Sequence, residues 1–203
     1  MKASLYISGL TMLFLLVSVC GAQEKLHHIQ VVKASGTVPI TIVEISLGDT
    51  KLTSGDEFSA DDSWVKDLTL EVKNVSNKNI LWVGTSVDLR REGKQGMDIS
   101  LVLDSGTRPL PRAFTKAQSD ALTRIKRVRS DETVVIRVPP RLANAVLKRM
   151  GEAESSEEYI VLHHFEVIFE DGTMWRAGMQ LCPDPDKNTW LLAKSGLPCG
   201  VAN

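Results

Sequence analysis

The run Tyr159-Ile-Val-Leu-His-His-Phe-Glu-Val-Ile-Phe-Glu170 is followed by Asp171-Gly172 and then Thr173-Met-Trp-Arg-Ala177. It is the strongest strand signal in the chain, and Asp-Gly is a dipeptide that the primed two-residue hairpin turn favours. The segment reads as a long strand, a tight turn and a returning strand.

Leu68-Thr-Leu-Glu-Val-Lys73 alternates apolar and polar side chains, the pattern of a strand with one wet face. Asn74-Val-Ser-Asn-Lys-Asn79 then makes a polar turn before Ile80-Leu-Trp-Val83, which carries on toward Leu89, so the two runs read as a hairpin. Further strands are expected at residues 28–34, 40–47, 99–103 and 133–138, and one at Trp190. Many short strands joined by turn signals point to a mainly β chain, an antiparallel sandwich. One or two short helices interrupt it. Residues 115–128 carry Ala121, Leu122 and Ile125 at helical spacing, and residues 141–150 follow Pro139 and Pro140, precede Gly151 and place Leu142, Val146 and Met150 on one face. Both are expected as connections between strands.

At the N-terminus, Lys2 precedes the uncharged apolar run Leu10-Thr-Met-Leu-Phe-Leu-Leu-Val-Ser-Val19, and small residues follow at Cys20, Gly21 and Ala22. That order is the pattern of a cleaved export signal, expected over residues 1–22. The apolar run is shorter than the roughly 20 residues a membrane-spanning helix needs. A lipid-modified Cys20 is the alternative, with Val19 standing where such sites usually carry a smaller residue. Residues 23–203 then have the length of one domain with its own core. The chain is expected to be exported, periplasmic or extracellular, with no transmembrane segment after the cut.

Cys182 and Cys199 remain as an even pair close in sequence, and in an oxidising compartment they are expected to form a disulfide. Charge is close to balance: the 24 basic residues less Lys2 leave 23 against 25 acidic ones. That argues against nucleic acid as a partner, since such binding depends on a strong positive field.

The run Trp64-Val-Lys-Asp-Leu-Thr-Leu-Glu-Val-Lys-Asn-Val-Ser-Asn-Lys-Asn-Ile80 resembles a strand–turn–strand of secreted bacterial proteins with an immunoglobulin-like β-sandwich domain, with Asn79 where proline is common. Phe169-Glu-Asp-Gly-Thr-Met-Trp-Arg-Ala-Gly178 is similar to the closing hairpin of uncharacterised secreted proteins of that kind. The matching positions are turn and core residues. The resemblance implies an immunoglobulin-like sandwich that binds, adheres or joins an assembly, and it transfers no functional residue.

Several groups invite a sharper assignment. His163 and His164 are adjacent in a strand and so are expected on opposite faces, with His163 beside Val161, Phe165 and Val167 as a hydrogen-bonded core or rim residue. His27 and His28 fall near the new N-terminus, where chains are often poorly ordered. Asp184-Pro-Asp-Lys-Asn188 opens like a calcium loop, but Thr189 replaces the required glycine and Ser195 the bidentate glutamate. A proline-rich turn before the Trp190 strand explains these residues without an ion. Asp56, Glu57, Asp61 and Asp62 read as a solvated loop or as a second calcium candidate. No nucleophile elbow, zinc-protease helix or phosphate-binding glycine loop is present, so no catalytic residue, cofactor or metal ligand is assigned.

Charge is nevertheless uneven. Between Gly106 and Ser130 lie Arg108, Arg112, Lys116, Arg124, Lys126, Arg127 and Arg129 against the one acid Asp120, while Glu152, Glu154, Glu157 and Glu158 precede the long strand. Arg124, Lys126, Arg127 and Arg129 are the expected surface for an anionic envelope component or protein partner; a solvated connection, or pairing with the acidic stretch, accounts for them as well. Two functions remain: an exported non-catalytic binding or envelope-associated module, or a small exported hydrolase or metal-dependent enzyme with a site assembled from scattered residues.

Overall fold

The protein is described by a computed structural model that covers residues 25–33, 36–91, 99–115, 122–150, 157–193 and 199. Within them the chain forms β1 (Lys25–Val31), β2 (Ile40–Leu47), β3 (Thr50–Leu52), β4 (Glu57–Ala60), β5 (Leu68–Asn74), β6 (Ile80–Arg91) and β7 (Ile99–Gly106). After them come β8 (Thr133–Arg137), the helix α1 (Pro140–Met150), β9 (Glu157–Phe169), β10 (Met174–Arg176), β11 (Met179–Asp184) and β12 (Thr189–Leu192). Short 3-10 turns lie at Asp62–Lys66 and Pro111–Phe114. The expected signal at 1–22 and the centre of the expected first helix, 116–121, lie outside the described residues. Beyond that centre only Leu122 and Thr123 are helical, and Val128 bridges to Ile80 in extended form.

The chain is mainly β, in two sheets. The smaller has the order β3-β2-β5-β8 and is antiparallel throughout. In the larger, β9 is central. One side pairs with β6 between residues 158 and 169, and β6 pairs in turn with β7, while its other side pairs with β1 over residues 157–162 and with β10 over residues 166–168. The β1–β9 pair is parallel. Antiparallel pairing was expected everywhere, but β1 and β9 are joined by no hairpin, so no turn dictates their relative direction.

The alternation of β5 places Leu68, Leu70 and Val72 inward, each at most 1% exposed. They meet Ile45 and Ile136 of their own sheet and Val83, Val87, Leu101, Leu103, Ile160 and Leu162 of the other in one continuous apolar cluster. Burial of this kind contributes about 25 cal/mol per Å2 of apolar surface removed from water. α1 begins at Pro140, as its proline pair predicts, and buries Ala143, Val146 and Met150 against the 3-10 turn that carries Trp64 and Val65. It connects the smaller sheet to the larger.

The expected β5–β6 hairpin does not form, because the two strands belong to different sheets. Buried Asn74 ends β5: its amide nitrogen donates to the carbonyls of Lys78 and Val128, and its oxygen accepts from the Ser76 backbone and hydroxyl. This network turns the chain out of one sheet and into the other. The β9–β10 hairpin does form, with a different turn from the one expected. Phe169 and Thr173 close a three-residue loop, the Gly172 N–H returns to the Phe169 carbonyl, and of the loop residues only Gly172 has positive φ, 83°. A two-residue primed turn needs positive φ at its first central residue, so this is the longer loop with a glycine bulge.

Candidate functional site

On the outer face of the larger sheet one rung runs across four strands through Asp104 of β7, Gly84 of β6, Glu166 of β9 and Arg176 of β10. Gly84 leaves a gap that the Trp82 ring fills, since a Cβ there would lie 2.5 Å from it. Further along β6 come Ser86 and then Asp88, level with Ser100 of β7 and Val161 of β9. Small side chains at Gly84, Ser86 and Ser100 between longer ones leave a cleft of about 430 Å3. Sites for small molecules occupy roughly 300–1,000 Å3. Beyond Trp82 the face is closed by a small apolar cluster in which Ile168 and Met174 pack with Phe114, Leu181 and Trp190.

A β-bulge places the histidine. Thr85 faces Phe165 and Val87 faces Leu162, so β9 uses one residue more than β6 between these pairs, at His163 and His164. The bulge falls where β1 leaves β9 and before β10 joins it, and the buried Thr85 hydroxyl pins it by donating to the His163 carbonyl at 2.8 Å. His163 was expected on the face of Phe165 and Val167. The extra residue switches that parity: Phe165 and Val167 point into the core, and His163 lies in the cleft with Nε2 2.7 Å from Asp88 Oδ2. The His164 side chain lies outside the described part of the structure.

Asp88 also accepts from Ser100, and Arg90 stands 3.6 Å away. Burial pushes the Asp88 carboxyl up, but the hydrogen bonds from Ser100 and His163 and the charges of His163 and Arg90 outweigh it and hold it below the usual carboxylate range. At the other end of the cleft, Glu166 is held by two cations: Arg108 Nη2 at 3.2 Å from Oε2 and Arg176 Nε at 2.6 Å from Oε1. The Arg108 guanidinium also covers the Trp82 ring at 4.6 Å, and the Trp82 N–H donates to Asp104.

The other expected residues lie elsewhere. Cys182 and Cys199 are bonded, with Cα atoms 5.3 Å apart, tying the tail to β11. Arg124, Lys126 and Arg129 are exposed and form no ion pair with another described residue, whereas Arg127 is half-buried and bonds Glu170 Oε1 at 2.6 Å. Hydrogen bonds from Asn79 and Arg127 hold the Glu170 carboxyl below its ordinary value. Lys116, Asp120, Glu152 and Glu154 lie outside the described residues. His27 and His28, expected in a loose terminus, are part of β1. His27 is fully buried, stacked on Phe58 at 5.0 Å, and His28 stacks on Tyr159 and pairs with Glu57.

Three of the acidic candidates hold backbone N–H groups. Asp56 accepts from Thr53 and Asp61 from Ser63, which lowers both carboxyls, and Asp184 accepts from the Lys187 N–H in the β11–β12 turn. The Asp62 side chain and Ser195 lie outside the described residues. Among the described residues no three His, Cys, Asp or Glu side chains converge as metal ligands, and no helix is long and apolar enough to cross a membrane.

Sequence reasoning missed the cleft, which is assembled from four strands by register. Its one local signal was Gly84, an isolated glycine inside a strand, which marks a close approach. A scan against protein-family models and searches of curated proteins and of solved structures found no match.

Proposed function

We propose that the protein is an exported, non-catalytic binding module, a single β-sandwich domain of immunoglobulin-like plan, whose ligand site is the polar cleft on the outer face of the larger sheet. The cleft carries this reading. Its ionisable groups are held in place before any ligand arrives, Glu166 by two arginines and Asp88 by His163 and Ser100. Asp88, His163, Glu166 and Arg176 stand on strands, and groups fixed in this way bind without the cost of being ordered first.

The shared core of the two sheets, and the crossing between them at Asn74, support the sandwich. The Cys182–Cys199 bond supports export, since such bonds persist in oxidising compartments. Exposed Arg124, Lys126 and Arg129 favour an anionic partner, an envelope component or an acidic protein surface, by attraction over a Debye length of about 8 Å.

A second reading rests on one observation. A histidine bonded to an aspartate is the base-and-orienter pair of many hydrolases, and His163–Asp88 has that form. The two readings separate in one experiment, in which the exported protein is assayed on chromogenic ester and glycoside substrates beside a His163→Gln variant, and its histidine and indole NMR signals are followed during titration with envelope extract. Binding predicts shifts of the His163 and Trp82 signals without His163-dependent turnover. Turnover that disappears in the variant establishes the hydrolase instead.

A further inference from the structure

We infer that the ligand of the cleft is a carboxylate-bearing saccharide, with its carboxylate on Arg108 and Arg176 and its hydroxyl groups on Asp88, Ser100 and His163. This rests on the binding reading above and names the ligand class for it.

The two ends of the cleft differ in charge. Two guanidinium groups line one end against the single carboxylate of Glu166, while Asp104 on the same rung is directed to the Trp82 N–H and does not line the cleft. Arg108 and Arg176 are 46% and 44% exposed, and each directs one nitrogen at Glu166. The remaining N–H groups suit a second carboxylate, which the planar guanidinium accepts in fork geometry.

The far end suits hydroxyl groups. Asp88 stands four residues from Gly84 on one strand, about 13 Å along the sheet. There a carboxylate, an imidazole and a hydroxyl stand together. A sugar hydroxyl both donates and accepts, so it matches either kind of partner.

The walls disfavour a peptide. Trp82 is 2% exposed and lies beneath Arg108, and Val102 is the one exposed apolar side chain among the lining residues. An apolar peptide side chain finds no socket there, whereas a hydroxylated ring needs none.

The test is calorimetric titration of the exported chain with oligosaccharides of galacturonic, glucuronic and N-acetylneuraminic acid, beside a neutral galactose oligosaccharide and inorganic phosphate. At least one acidic saccharide should bind about tenfold or more tightly than the neutral one and than phosphate. Arg108→Gln and Arg176→Gln should each weaken it about tenfold, the scale of a lost hydrogen bond to a charged group. Asp88→Asn, which preserves shape, should weaken it comparably and keeps the test informative if an arginine variant fails to fold. Equal binding of the neutral saccharide or of phosphate, or no binding by any acid, overturns the inference. If a neutral saccharide or a short peptide then shifts the His163 and Trp82 NMR signals, the binding reading survives without it; if no ligand class does, both fall.

Discussion

Asp88 Oδ2 lies 2.7 Å from Nε2 of His163, a residue 75 positions further along the chain, because a bulge in β9 turns the imidazole out of the core and onto the strand that carries the carboxylate. Ser100 and Arg90 add to the contact, and the net effect on Asp88 is a carboxyl held below its ordinary value.

The sign of the pH effect follows. A depressed carboxyl stabilises the fold fully above its unfolded value, about 3.9, and loses that contribution as pH falls through its lower folded value. Asp88→Asn should therefore melt below wild type at about pH 5 and above, and the margin should shrink below about pH 4. Melting curves across that range check it, and a margin unchanged in strong acid contradicts it.

The β5 strand offers a contrast between neighbours. Leu70 is fully buried between the sheets, so Leu70→Ala should cost roughly 2–5 kcal/mol. Glu71 faces the other way and pairs directly with Glu44, a like charge that Lys51 already neutralises. Glu71→Ala should stay within about 0.5 kcal/mol. Chemical denaturation separates the two, and equal costs would contradict the inward alternation.

Arg127 should part company with its basic neighbours. Its bond to Glu170 ties the residue 127 segment to the end of β9, so Arg127→Ala should lower stability by up to about 1 kcal/mol, the scale of an exposed pair. Replacing Arg124, Lys126 and Arg129 by serine should leave the melting temperature unchanged while weakening association with isolated envelope and flattening its salt dependence. Association identical to wild type at low and high salt removes these residues from any docking role.

The Cys182–Cys199 bond closes a loop of 17 positions, worth about 3 kcal/mol by loop-closure entropy. Reduction should add two hydrogens to the mass and destabilise the protein by about that amount. Two thiols alkylated in the unreduced native protein would contradict it.

How much was legible in the sequence follows the range of each interaction. Strands β2 and β5 were readable to within a residue, because their alternation is local and their inner faces meet one core. Helix α1 was readable from the prolines that start it. Strands β3 and β4 were not, since three or four residues carry too little pattern. The sheet to which β6 belongs depends on where the Asn74 side chain bonds, and Val128 is 54 positions away. The site was least legible. His163 was assigned to the wrong face because period two assumes no bulge, and a bulge is a property of two strands together. Glu166 and Arg176 meet only through the β9–β10 register, and Arg108 reaches Glu166 from the loop after β7.

Val102 and Val43 allow the most direct test of the cleft as the ligand site, being almost equally exposed at 54% and 53%, with Val102 in the wall of the cleft and Val43 on the smaller sheet. A photo-crosslinking amino acid is placed at each position in turn and irradiated in native envelope. The binding account predicts a discrete adduct from position 102 that disappears when Arg176→Gln is added, and none from position 43. No adduct at 102, equal adducts at both positions, or an adduct indifferent to Arg176 would contradict it.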